Sequence, residues 1–249
     1  MVKCPHNPLV AGSSPARPTN LGDPMTYKMI YLAQRNPALA SQDFAQAWRE
    51  HSALGAQCTN VRDKVVSVRQ CARVLSDPHP PGLSTHYDGV NLLTVKSLSA
   101  AHEIWSDPET LAVMRPDEPR VFSTYVRNFT LVCEEVSVSD PGNAIRSQPW
   151  GRCIVVGFLK AGAPLLDESF HQSLSLPKAR AVVVNRVCEP PPAGYDFDLI
   201  LEAWYESPTH AEQALEGQSP TEHLCASARA MLDASRCVWM FTAVTHHRP

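Results

Sequence analysis

Tyr87-Asp88-Gly89-Val90-Asn91-Leu92-Leu93-Thr94-Val95 leads into Ser99-Ala100-Ala101-His102, and 108 residues later Tyr195-Asp196-Phe197-Asp198-Leu199-Ile200-Leu201-Glu202-Ala203-Trp204 leads into Ser207-Pro208-Thr209-His210. Each copy has a polar-aromatic entry, an apolar run of strand character and a helix start. Upstream, Val68-Arg69-Gln70-Cys71 is answered by Asn185-Arg186-Val187-Cys188, and Phe44 to Trp48 more weakly by Phe170 to Leu174. The order of the matches is kept, which marks an internal repeat.

Each half reads as strand, helix, strand, Pro-rich loop, strand, helix, strand. In the first half the strands are predicted at Tyr27 to Arg35, Val65 to Cys71, Val90 to Lys96 and within Phe122 to Val136. Ser41 is the expected N-cap of a helix whose Phe44, Ala47, Trp48 and His51 share one face. Ser99 is expected to cap a helix to about Trp105, and Asp107 to Asp117 to form a second, broken one. In the second half the elements are predicted at Cys153 to Lys160, Glu168 to Leu174, Ala181 to Cys188, Asp198 to Tyr205, Thr209 to Glu216 and Val238 to Val244, with Ser207-Pro208 opening the later helix.

A βαββαβ unit leaves one face of its sheet bare, and that face must be buried. The expected fold is therefore α+β: two ferredoxin-like βαββαβ modules, 25–137 and 150–246, forming an intramolecular pseudo-dimeric α+β barrel, with a linker over 138–149.

Composition narrows the function classes. A net charge of −3 without a basic block argues against nucleic acid. No apolar run approaches the roughly 20 residues of a membrane span. The 8 cysteines show no zinc or CxxC spacing and are expected to be reduced, in a cytoplasmic protein. No metal triad, GxGxxG, P-loop or nucleophile elbow is present, so no cofactor or metal is expected. Residues 1–24 lack periodicity and are expected to be disordered or a spurious extension. Ala11 to Ala16 back-translates to the T-arm of a transfer RNA gene, which would place initiation at Met25 or Met29.

Met29-Ile30-Tyr31-Leu32 through Arg35, then Pro37, Phe44 and Trp48-Arg49-Glu50-His51, resembles the EthD-like family of dimeric α+β barrels. Tyr87-Asp88-Gly89-Val90 and the acidic Asp107-Pro108 and Asp117-Glu118 fit the same family. The resemblance covers about 27–135 and only weakly 150–246. It implies the barrel fold, and a superfamily of cofactor-free oxygenases, isomerases, cyclases, dehydratases and haem enzymes. The family's usual histidine follows the tryptophan by four residues, where this chain has Ser52; its own histidine is His51.

Strand alternation places Asp198, Ile200, Glu202 and Trp204 inside the barrel. A carboxylate there is expected to have a raised pKa, which makes Glu202 a candidate acid or base. The alternative is an ion pair with Arg69, Arg186 or Lys96. His51 is the second candidate base, or else a core residue favoured by the helix C-terminus. With an inward face, Tyr31 would hold a substrate oxygen and Arg35 a carboxylate, while Asp198 and Trp204 would line the substrate. The expected function is a cofactor-independent lyase- or isomerase-type enzyme acting by proton transfer on a small aromatic, lactone or polyketide-like molecule. A cofactor-free monooxygenase and a non-catalytic binding or accessory protein are the alternatives. The expected state is a monomer with an internal pseudo-dimer, or a further homodimer.

Overall fold

A strand buried on both faces needs apolar residues at nearly every position, and eight strand-forming runs occur along the chain, some of them wholly apolar and others carrying polar residues. In the computed structural model, which describes residues 25–141, 146–162 and 168–249, they become β1 (Tyr27–Ala33), β2 (Val65–Arg73), β3 (Gly89–Val95), β4 (Thr130–Ser139), β5 (Cys153–Leu159), β6 (Ala181–Val187), β7 (Leu199–Tyr205) and β8 (Val238–Arg248). The expectation for residues 1–24 and part of the expected linker lie outside the described residues.

The eight strands close into an antiparallel barrel in the order β1-β3-β2-β8-β5-β7-β6-β4. From β4, the first half runs β4-β1-β3-β2 and the second β8-β5-β7-β6. The seams between them are β2–β8 and β4–β6. Closure leaves no sheet edge unpaired. The helices pack outside: α1 (Phe44–Gly55), α2 (Thr59–Lys64), α3 (Leu98–Glu103), α4 (Pro108–Val113) and α5 (Glu118–Val121) on the first half, and α6 (Glu168–Ser173), α7 (Pro208–Leu215), α8 (Pro220–His223) and α9 (Ala226–Ala230) on the second. None of the described helices is long and apolar enough to cross a membrane.

Alternation along β1 sorts its side chains into two layers. Ile30 and Leu32 join Val90, Leu92, Ile200, Trp204 and Met240 inside the barrel. Met29 and Tyr31 face the helices instead, Tyr31 within an aromatic cluster of Phe44, Trp48, Phe122 and Phe129. Each such side chain contributes about 1.5–3 kcal/mol by leaving water. The approach of α1 to the sheet requires Gly89: a Cβ there would lie 2.6 Å from the Trp48 ring and 2.8 Å from the Cys71 carbonyl oxygen.

Three local expectations change. Ser41 opens a short 3-10 turn (Ser41–Asp43) and its hydroxyl accepts from Arg35 Nε at 3.1 Å, so it does not cap α1. Ser97, not Ser99, caps α3 by accepting from Ala100 N at 3.1 Å. Ser207 caps α7 in the same way, so these caps are 110 residues apart rather than 108. Asp88 and Asp198 keep that spacing: each accepts from a backbone N–H just past a neighbouring strand, Arg35 N at 3.0 Å and Ala161 N at 2.8 Å.

Candidate active site

The most polar point inside the barrel is Glu202, 1% exposed. Lys28 donates to it at 2.7 Å, Asn185 Nδ2 at 2.9 Å and the Trp204 indole at 3.0 Å. Lys28 also pairs with Glu135 at 2.7 Å, and Arg146 reaches Glu135 at 3.1 Å. Burial pushes the Glu202 carboxyl upward, but the Lys28 and Arg146 charges and the Lys28 and Asn185 hydrogen bonds outweigh it and hold the group at about 2. The expected raised pKa is therefore reversed. At neutral pH Glu202 is an ionised carboxylate that accepts from Lys28, Asn185 and Trp204, poorly suited to take or give a proton. The partner is Lys28, not Arg69, Arg186 or Lys96; Arg186 pairs with Glu134 instead.

Other expected positions also move. Trp204 is fully buried as a donor to Glu202. Asp198 is held by Ala161 N and by Lys160 at 3.1 Å. Arg35 is tied to Ser41 and lies 3.4 Å from Asp88. Tyr31 faces the helix layer rather than the barrel interior, because β1 turns its Lys28–Ile30–Leu32 face inward.

The helix layer of the first half holds a different constellation. α1 carries His51 and Ser52 on its buried face, along with Trp48 and Gly55. His51 is 3% exposed, with Nδ1 2.9 Å from Asp117 Oδ2. Asp117 is gripped by Arg120, whose Nε and Nη2 donate at 2.7 and 3.1 Å, and Arg120 is tied to Glu50 at 3.2 Å. Those Arg120 hydrogen bonds, then that of His51, hold the Asp117 carboxyl below its usual value. Burial lowers the His51 pKa, and Asp117 only partly offsets this. At neutral pH the pair is thus a carboxylate and a neutral imidazole. An ionised carboxylate only accepts, so Nδ1 carries the proton and Nε2 keeps its lone pair.

His51 lines a cavity of about 40 Å³ between sheet and helices, together with Tyr31, Ser52, Gln70, Asn91, Trp105 and Arg248. Four polar atoms from this wall are buried without a protein partner: Gln70 Oε1, Asn91 Oδ1, Trp105 Nε1 and Arg248 Nη1. Burial raises the Tyr31 hydroxyl well above its ordinary value, which keeps it protonated. The volume suits a few water-sized groups and lies below the roughly 300 Å³ of a site enclosing a drug-sized ligand. A ring-bearing molecule therefore requires the lining side chains to move apart. Of the expected residues, the structure brings His51 and Tyr31 together here and leaves Glu202, Trp204, Asp198 and Arg35 elsewhere. Among the described residues no group of three His, Cys, Asp or Glu is placed to hold a metal ion.

Residues 36–124 match the family model described as EthD domain. That segment resembles an EthD domain. It supplies His51, Gln70, Asn91, Trp105 and Asp117, whereas Tyr31 and Arg248 come from outside it. Among solved structures, an anthrone oxidase-like protein is similar with a TM-score of 0.56 and 13% identity, over 91% of this chain and 94% of that one. A "putative monooxygenase" from Lactobacillus acidophilus NCFM is similar with a TM-score of 0.50 and 8% identity, over 90% and 96%. At such identities the likeness is one of fold. No curated protein sequence matches this chain.

The residues missed by sequence reading left weak signals. Asn91 interrupts the apolar run of β3. Asp117 and Arg120 have the i, i+3 spacing of a helical ion pair. Arg248 left none, since nothing local ties the end of the chain to α1.

Proposed function

We propose that this protein is a small-molecule enzyme in which His51 is the general base. The observation that carries this reading is the neutral imidazole, oriented by Asp117 and opening on a cavity wall with unpaired polar atoms. His51 Nε2 takes a proton from an acidic C–H or O–H of the substrate, and Asp117 stabilises the imidazolium that forms. The unpartnered Trp105 N–H is the donor left to hold an oxyanion formed by that step. Return of the proton to another atom, ring closure or expulsion of a leaving group gives isomerisation, cyclisation or dehydration. The substrate class is a small, flat, largely apolar molecule: an aromatic, lactone or polyketide-like compound. The chain's own residues supply this chemistry without a cofactor.

A second reading shares the first step. A carbanion formed by His51 is itself a reductant for O₂, which makes the site a cofactor-free monooxygenase. The names of the two structural neighbours favour it.

The two halves are read as tandem ferredoxin-like modules, 25–137 and 150–246, joined over 138–149 and forming an internal pseudo-dimer in a cytoplasmic protein that is a monomer or a further homodimer. The matching strand orders of the two halves support this. The proton-transfer reading is tested by incubating candidate hydroxy-ketones and lactones with the protein in D₂O and following exchange of the acidic C–H by NMR. Exchange lost in His51→Gln supports it. Binding without exchange, in air or under nitrogen, would leave a non-catalytic binder.

A further inference from the structure

Strand β8 of the second half reaches the site of the first half. β8 runs beside β2 with Arg248 opposite Val68, so both side chains stand on the face that lines the His51 cavity. Arg248 is part-buried, its Nη1 has no protein partner, and its guanidinium makes no ion pair among the described residues. Its surroundings add positive charge rather than cancel it: burial and then Arg248, Arg49 and His247 lower the pKa of His246, two residues before it on β8. The acids in this region are already committed, Asp117 to Arg120 and His51 and Glu118 to Arg115 and the Val126 N–H. A guanidinium removed from water without an anion is unfavourable, and it presents a planar fork suited to a carboxylate. On the same wall Trp105 Nε1 is a second donor without a partner, and Gln70 Oε1 and Asn91 Oδ1 are acceptors.

We propose that Arg248 is the specificity-determining residue of the His51 cavity and binds a carboxylate on the substrate, so that the molecule turned over is an organic acid held with its reactive C–H toward His51. This rests on the reading of His51 as base, and it assigns to Arg248 the anchoring role that sequence reading gave to Arg35. Arg35 is already occupied by Ser41 and Asp88. The site is then completed across the β2–β8 seam: the base comes from α1 and the anion anchor from β8 of the other half. Anchor and base are separate groups, so binding and turnover are separable in variants.

The test uses the full chain, with acetate as probe and acetamide as its neutral isostere, at constant ionic strength. The readout is the NMR signal of the Trp105 indole N–H, identified with Trp105→Phe. Acetate is expected to move this signal saturably and acetamide to leave it in place. Arg248→Met should weaken acetate about ten-fold or more, the loss of one charge-assisted hydrogen bond. Arg248→Lys should weaken it less, since charge is kept and the fork is lost. Circular dichroism checks that each variant is folded; Arg248 is the penultimate residue, and Arg248→Lys keeps the proposal testable if Arg248→Met unfolds. His51→Gln should still bind acetate, so turnover absent in the parent with acetate binding intact overturns the base and not the anchor. Equal response to acetate and acetamide, no response to acetate, or acetate binding unchanged in a folded Arg248 variant overturns the anchor.

Discussion

Replacing Glu202 by Gln removes the only barrel carboxylate that Lys28 shares with both Asn185 and Trp204. In an unfolded chain this carboxyl has its ordinary value of 4.5, and in the folded barrel it is held at about 2. Each pKa unit corresponds to about 1.4 kcal/mol, so the ionised Glu202 contributes about 3 kcal/mol at neutral pH. A group whose folded pKa is depressed gives its full contribution above the unfolded value and loses it as pH falls toward the folded one. Glu202→Gln should therefore unfold about 3 kcal/mol more easily than the parent at about pH 7. That gap should shrink below about pH 4.5 and close near pH 2. Urea titrations of both proteins across this range, read as the difference in unfolding free energy, check the value. Other titrating carboxylates are common to both proteins and cancel. A gap under about 1 kcal/mol at neutral pH, or one that does not change with pH, would refute the reasoning, because it would mean that burial and pairing nearly cancel.

Three further outcomes are expected. His51→Gln should cut turnover by about 10²–10⁴-fold while leaving the thermal midpoint nearly unchanged. Because burial lowers the His51 pKa, the acid limb of kcat/KM should fall below the usual histidine range; a limb above 6.5 would count against His51 as the base. Asp117→Asn removes the groups that raise the His51 pKa and orient its ring, so that limb should shift to still lower pH and turnover fall roughly ten-fold or more, as a pH–rate profile would show. Gly89→Ala forces a Cβ against the Trp48 ring and the Cys71 carbonyl, and should lose several kcal/mol, about 1–3 or more, in a denaturant titration.

Much of the architecture could be read from the chain, and the reasons for the misses are physical. The apolar runs located all eight strands, and the Ile200–Trp204 alternation chose the correct inward face of β7. The same reasoning failed on β1, because both of its faces are buried and an uninterrupted apolar run does not say which set points inward. The decisive residue there was Lys28, whose charge is tolerated inside only because Glu202 and Glu135 meet it from strands far away in sequence. The repeat was matched on Tyr-Asp identity at a spacing of 108, whereas the clasps made by Asp88 and Asp198 and the caps made by Ser97 and Ser207 are spaced by 110. Identical letters were a weaker guide than identical hydrogen bonds. At the site, His51 was visible as a polar residue on an otherwise apolar helix face. Its partner Asp117 and the Arg248 across the cavity were hidden, since tertiary approach alone brings them near it.

The Lys28–Glu202 pair also limits which surfaces this barrel can join. In the ladders of the opposite halves, the corresponding positions are Ile154 and Leu92. A first half meeting a copy of itself would keep a Glu135 for each Lys28, whereas a second half meeting its copy would enclose two Glu202 carboxylates with no lysine. That second self-pairing buries like charge, and the mixed pairing neutralises it. The ion pair thus works as a one-sided recognition code written in the core: separated into two polypeptides, the second half would reject its own kind and select the first.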